Sequence, residues 1–522
     1  MKILMICTEK LPVPPVRGGA IQTYIDGVSR MLSKQYQLTI LGTPDESLPD
    51  EEIVDQIRYV RIPGELLEIY QEGVVQFLQE NSFDIIHIFN RPRLVAAVRE
   101  HAPNARLVLS MHNDMFTPQK IQAEKALSAI QELDKIITVS DYVGKTISDS
   151  FPEAAPKLKT IYSGVDLGRF VPPTSSQAKE MRNEVRQEHG LVNKKVILFA
   201  GRLSANKGAD ILVQAMNELA KEHSNIALVL VGSKWFSVNE VSDYVAYVRA
   251  LAAKLSIPVV NTGFVSPNEI QRWFAAADVF VCPSQWQEPL ARVHYEAMAS
   301  GLPIVTTARG GNPEVIIPNE NGFVVEEADN PHAFIEPLST LLENPHLAQR
   351  MGAMGRNLAE EKYTWERVAN DILDVWNELE GKMQNDLPIN DEETTTTMLA
   401  NEDGIEPSDH TDELPPANVQ LASDLKQGSN KKTKEEKLRS LLLLELTHHS
   451  SLLDTMMQTV KQRAIDNRTK DLSSLVRQIM SETESYFSQS ETAKIIRDTN
   501  DSTTAKLFHT LLQNQRRKRK SG

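Results

Sequence analysis

For about the first 380 residues, short apolar runs alternate with amphipathic stretches, and this alternation constrains the fold more than any other feature. KILMIC, QLTILG, DIIHIF, RLVLSMH and KIITVS read as strands, separated by helical patterns such as IQTYIDGVSRMLSK. KVILFAGRL, IALVLVG, IPVVNTG, VFVCPS and PIVTTA repeat the scheme. Strand-helix alternation marks a parallel sheet covered on both faces. A Pro/Ser-rich break at VPPTSSQAK, residues 171–179, divides the two halves. The expected fold class is therefore α/β, with two Rossmann-like domains facing a cleft over residues 1–172 and 173–383. The amphipathic helix YTWERVANDILDVWNELEGKM (363–383) is expected to close the second domain.

Composition then changes. Residues 384–430 hold eleven acidic residues and one basic, and a Thr/Pro-rich acidic linker, disordered by composition, is expected over 384–433. Helical patterning returns over 434–522, a helical extension that ends RRKRKSG. Its basic end reads either as a solvated tail or as a patch for peripheral contact with anionic lipid or a coat polymer. The net charge of -14 argues against general nucleic-acid binding. Cys7 and Cys282 lie far apart within apolar runs and read as reduced core residues, so neither a disulfide framework nor a cysteine metal site is expected. No run reaches the ~20 apolar residues needed to span a bilayer. The first apolar run is too short for a secretory signal, so the expected location is cytoplasmic.

In open parallel sheets ligands bind beyond the carboxyl ends of the strands, so chemistry is sought in the loops that follow them. After KILMIC, Gly18 and Gly19 precede a helix and leave bare amides able to approach a phosphate or sugar. The pattern is not G-x-G-x-x-G, which disfavours a dinucleotide dehydrogenase; a simple turn is the plainer reading of two glycines. After RLVLSM comes His112, at a strand end that would face the cleft, although packed or capping histidines are common there. In AGRLSANKGADILVQA, Arg202 and Lys207 flank a loop without the G-K-[ST] of a P-loop, so ATP hydrolysis is not expected. Two cations would suit a diphosphate leaving group.

SQWQEPLARVHYEAMASGLPIVTT, residues 284–307, carries two carboxylates eight positions apart. Pro289 favours a first helical position, which would put the amides of Ala291, Arg292 and Val293 in an exposed N-terminal turn. Glu288 and Glu296 would then stand roughly 12 Å apart along the axis. A nucleotide-diphosphate sugar laid across this helix start would put phosphates over the amides, one carboxylate on sugar hydroxyls and the other on ribose hydroxyls. The bland alternative is two solvated glutamates.

Taken in order, the N-terminal Gly pair, the His after an early strand, SGVDLGRF, GRLSANKG, E-P with a second Glu ahead of AMASGLP, and GGNPEVI resemble glycosyltransferase family 4. Within it, EKLPVPPVRGGAIQ, GSKWF and PSQWQEPLARVHYEAMA are most similar to a spore-coat group of Bacillus relatives. The resemblance covers about residues 1–380. It implies a retaining hexosyltransferase of the two-Rossmann-domain (GT-B) type, with no cofactor and with a nucleotide-diphosphate sugar as substrate. In that reading Glu296 would hold the ribose, Glu288 the donor sugar, and Arg202 and Lys207 the diphosphate. Gly18 and Gly19 would line the donor-acceptor junction, and His112 would sit beside the reacting sugar. The acceptor would be a glycan, a lipid-linked sugar or a protein. Leu290 and Ala291 stand where many members have Phe-Gly, and Arg292 and His294 stand at positions that are often aliphatic. No D-x-D occurs, which suits transfer without a metal. The alternative is a structural coat protein with a transferase-like body of low activity.

Overall fold

The computed structural model describes residues 1–234, 241–385, 387 and 388. The acidic linker, the helical extension and the Trp-Phe of GSKWF lie outside the described residues, apart from the linker's first few positions.

Among the described residues, fourteen strands form two sheets. The first holds β1 (Lys2–Ile6), β2 (Gln37–Gly42), β3 (Glu51–Val54), β4 (Ile57–Arg61), β5 (Ile85–Phe89), β6 (Arg106–Met111), β7 (Lys135–Thr138) and β8 (Leu158–Thr160). Their order is β3-β4-β2-β1-β5-β6-β7-β8, and only the β3–β4 pair is antiparallel. The second sheet holds β9 (Lys195–Ala200), β10 (Ile226–Val231), β11 (Val259–Gly263), β12 (Val279–Cys282), β13 (Ile304–Thr307) and β14 (Gly322–Val325). Its six strands are all parallel, in the order β11-β10-β9-β12-β13-β14.

Side chains of alternate strand residues enter opposite cores, as a period of two requires. Leu4 and Ile6 face one cluster in the first domain, Ile3 and Met5 the other. Val196 and Leu198 face one cluster in the second domain, Ile197 and Phe199 the other. The apolar runs are near-continuous because both faces are covered by helices. In each sheet the strand order reverses beside the first strand of the domain. Consecutive connections there leave in opposite directions and open a crevice at the carboxyl edge, the usual ligand position in such sheets. In the second sheet that point lies between β9 and β12, so the loops after these two strands border it.

Two boundaries differ from the sequence reading. The closing helix, Trp365–Gln384, does not complete the second domain. Its Val368, Ile372, Trp376 and Leu379 join the first-domain cluster with Ile3, Met5, Tyr24 and Ile25. The second core also begins before residue 173, because Val165 and Phe170 already belong to it. The Pro/Ser segment marks a helix start instead: Ser175 caps Ser176–Glu188 by accepting from the Ala178 amide at 3.1 Å. The chain thus crosses between domains twice, and the crossings run side by side, with the Val165 amide 2.8 Å from the Tyr363 carbonyl. Past the closing helix, Arg106 pairs with Asp134 at 2.9 Å and also holds the carbonyls of Leu387 and Pro388.

Candidate functional site

Cys282 ends β12, and the loop Pro283–Arg292 leads to a short helix, Val293–Ala299. Pro289 is therefore not at the first helical position; the helix starts only at Val293, and Glu288 lies in the loop before it. The Ala291 amide is not open either, because it donates to Asn312 Oδ1 at 3.1 Å. The amides of Arg292 and Val293 have no backbone acceptor among the described residues, so the expected anion-facing backbone narrows to these two. Leu290 and Ala291 are both buried beneath the loop. Burial of these apolar side chains drives the chain inward before it can coil, which accounts for the later helix start.

Glu288 is 6% exposed, so the solvated reading does not hold. Its carboxylate accepts from Lys207 Nζ at 2.8 and 2.6 Å, from Trp286 Nε1 at 2.6 Å and from Ser284 Oγ at 3.0 Å. Lys207 arrives from the loop after β9, in a tight turn Ala205–Lys207 ended by Gly208 with φ 68°. A Cβ at Gly208 would stand 2.0 Å from the Pro283 carbonyl oxygen. Glycine there lets the two loops close on each other, and that closure delivers the lysine. Arg202 lies in the field of Glu288; its burial lowers the guanidinium pKa and the carboxylate acts against that.

Glu296 sits in the first turn of Val293–Ala299 with its side chain 13% exposed. Burial raises its pKa above 4.5, opposed by Arg292 and Arg169. Arg292 Nη2 lies 3.7 Å from Glu296 Oε1, and Nη1 donates to Ser163 Oγ at 3.1 Å. Its guanidinium also stands over the Trp365 ring, 5.3 Å from the centroid. Arg292 is thus built into the domain crossing and does not face solvent.

His112 follows β6 in the first domain and meets this cluster from the other side. Its ring is edge-on to Tyr24 at 4.8 Å between centroids. Burial and then the Arg292 charge lower its pKa to about 3. Its Nε2 is buried without a hydrogen-bond partner among the described residues, so a neutral imidazole carries a spare polar atom within the field of Arg292. Gly18 and Gly19 have φ 86° and 108°, and Gly19 caps the helix Ala20–Leu32. A Cβ on Gly19 would lie 2.2 Å from Gln22 Oε1. The described residues show no hydrogen bond or ion pair from this glycine pair to the second domain.

Three loop residues escaped the sequence reading. Trp286 and Ser284, within the quoted stretch, complete the shell of Glu288. Asn312, within GGNPEVI, holds the Ala291 amide. An unexplained polar residue between a Gly pair and a proline was the available signal. Among the described residues no group of three or more His, Cys, Asp or Glu is arranged to hold a metal, and Cys7 and Cys282 are buried and free. No described helix is long and apolar enough to cross a membrane.

Known proteins resemble the chain over both sheets. Residues 18–169 match the family described as Glycosyltransferase Family 4, and residues 181–358 match Glycosyl transferases group 1. Spore coat protein SA of Bacillus subtilis (strain 168) is 44% identical over 376 residues, covering 72% of this chain and 99% of that one. The putative glycosyltransferase YtcC of the same strain is 41% identical, covering 72% and 92%. The crystal structure of Anabaena Alr3699/HepE in complex with UDP-glucose superposes with a TM-score of 0.59 at 21% identity, over 72% of this chain and 100% of that one.

Proposed function

The chain belongs to glycosyltransferase family 4, and from that premise we propose that it moves a sugar from a nucleotide-diphosphate sugar to a glycan or envelope acceptor, with retention and without a metal. The observation that carries this reading is the pair of carboxylates, Glu288 buried and Glu296 partly buried, each beside a cation and both bordering one crevice. A surface helix has no reason to bury two carboxylates with partners, because ionised groups are costly to desolvate.

In this reading Glu296 accepts the ribose hydroxyls and Glu288 those of the donor sugar. Arg202, Lys207 and the amides of Arg292 and Val293 receive the diphosphate, whose negative charge grows as the sugar-oxygen bond breaks. The acceptor oxygen then bonds to the same face of the anomeric carbon, and its proton passes to the departing diphosphate oxygen. His112 stays neutral beside the reacting sugar, so its Nε2 can hydrogen-bond a sugar hydroxyl without adding positive charge at the anomeric centre. The two cations take the place that a metal holds in other transferases.

The Anabaena neighbour was crystallised with UDP-glucose, which makes a uridine donor the first to test. The likeness of this chain to Spore coat protein SA favours an acceptor in a coat or envelope layer. Nucleoside diphosphate release from UDP-, GDP- and ADP-sugars, with and without a glycan acceptor and with excess EDTA, tests the proposal. Release that persists in EDTA and rises with acceptor is expected. A requirement for Mn²⁺ or Mg²⁺ would overturn the phosphate-site assignment. No release from any donor would favour a structural coat protein.

A further inference from the structure

The loop after β13 carries GGNPE, residues 310–314, and touches both domains. Its first half lies on the loop that holds Glu288. The Gly311 amide donates to the Glu288 carbonyl at 2.7 Å, and Asn312 Oδ1 accepts from the Ala291 amide at 3.1 Å. A Cβ at Gly310 would stand 2.0 Å from the Glu288 carbonyl oxygen, so a side chain there would lift the loop off.

Its second half reaches the first domain. Glu314 Oε2 accepts from the Asp141 amide at 2.8 Å and Oε1 from the Tyr142 amide at 2.7 Å. The Tyr162 hydroxyl donates to Oε2 at 3.0 Å. Asp141 and Tyr142 open the helix Asp141–Ser150, whose own cap, Ser140, accepts with its side chain from the Val143 amide and so leaves these two amides to another acceptor. The first amides of a helix have no acceptor inside it, and a carboxylate at that end is favoured by the helix dipole. Glu314 supplies both, from the opposite domain. Gly311 makes the approach feasible, since a Cβ there would lie 2.9 Å from that of Ser140.

We propose that Glu314 is a positioning residue for transfer: by capping the first-domain helix it fixes the Glu288 loop in register with His112. The inference rests on the donor-site reading above. Under that reading a nucleoside diphosphate touches the second domain alone, through Glu296, Arg202 and Lys207. Transfer also needs the first domain held in place. Losing the cap should therefore separate the two properties, whereas a merely structural role would lower both together.

The test uses full-length wild-type chain, Glu314→Ala and Glu314→Gln, each titrated with UDP, GDP and ADP and assayed for nucleoside diphosphate release from the matching sugar donors. Glu314→Ala should lower kcat roughly 100-fold, as expected for a small misplacement of reacting groups, and leave nucleotide affinity unchanged. Glu314→Gln retains an oxygen acceptor and should recover part of kcat. Should the alanine variant fail to fold, the glutamine variant carries the same comparison, with kcat falling and nucleotide affinity held. Unchanged kcat, or affinity lost as steeply as kcat, would overturn the proposal. Wild-type chain that binds none of the three nucleotides would refute the donor-site reading itself, a result visible before any variant is compared.

Discussion

Lys207 and Glu288 form a partly buried ion pair, with Nζ 2.8 and 2.6 Å from the two carboxylate oxygens. With Trp286 and Ser284 also donating, Glu288 is well supplied before any sugar arrives. This changes what Glu288→Gln should do. Neutralising the carboxylate releases Lys207 to a diphosphate, so nucleoside diphosphate should bind as well as before or tighter. Transfer should drop, because a charge-assisted bond to the sugar contributes about 1.5–3 kcal/mol, or roughly ten- to hundred-fold. Titration with nucleoside diphosphate beside a transfer assay separates these effects. Weaker nucleotide binding in Glu288→Gln would show that the pair does not restrain Lys207.

Glu296→Gln should behave in the opposite way. It removes the proposed acceptor of the ribose hydroxyls, and nucleotide affinity should fall roughly ten- to hundred-fold by the same bond energy. Burial raises the pKa of this carboxylate above 4.5 against the pull of Arg292 and Arg169. The wild-type chain should accordingly lose nucleotide affinity as pH falls through that raised pKa, since a protonated acid is a poorer acceptor. The glutamine variant should lack that part of the pH dependence. Calorimetric titrations across the acidic range check both, and a parallel pH response in the two proteins would remove Glu296 from the ribose site.

The fold was legible because it rests on a repeated signal: strand-helix alternation survives any single ambiguous element. The β3–β4 hairpin was not. Its strands are short, Ile53 is 74% exposed, and Asp55 and Gln56 turn the chain at positive φ without a glycine to announce it. The closing helix was legible as an amphipathic element, yet periodicity shows only that a face is buried and not in which domain. Within the site, the types of residue were readable and their partners were not. Nothing near Lys207 in sequence points to a carboxylate 81 positions away. The helix start was missed because Pro289 carries a real local preference that burial of Leu290 and Ala291 overrides.

Trp365 shows how local propensity and packing can oppose each other. Its indole fills the junction of the two crossings, edge-on to Tyr24 at 5.9 Å and beneath the Arg292 guanidinium. Gly27 lies inside the helix Ala20–Leu32, where alanine would normally stabilise by roughly 1 kcal/mol. Here a Cβ on Gly27 would stand 2.4 Å from Trp365 Cε2, and one on Gly164 would stand 2.6 Å from Cε3. The ring is held on both sides, so the clash should win. Gly27→Ala should destabilise by about 1–3 kcal/mol, the usual cost of overpacking, in denaturant unfolding. A more stable variant would mean that the indole can move.

His87 and His112 give the chain a specific acid weakness. Burial and the neighbouring His112 lower the His87 pKa to about 3, and burial with Arg292 does the same for His112, against an ordinary 6.5. Between those values the unfolded chain binds protons that the folded one refuses. Stability from this source is therefore complete above about pH 6.5 and declines as pH falls toward 3. Each histidine contributes a slope of up to about 1.4 kcal/mol per pH unit. His87 stacks on Phe89 at 4.5 Å and lies edge-on to Trp376, so phenylalanine suits the space, at the expense of the bond to Ser110 Oγ. His87→Phe should flatten the fall in unfolding free energy between pH 6 and 4 by one such slope. Arg292→Leu should act on the other histidine: without the cation, His112 accepts a proton more readily when folded, and its share of the slope ends at a higher pH. Denaturant unfolding of the three proteins at a series of pH values measures both, and identical slopes would mean that neither histidine is held neutral by the fold.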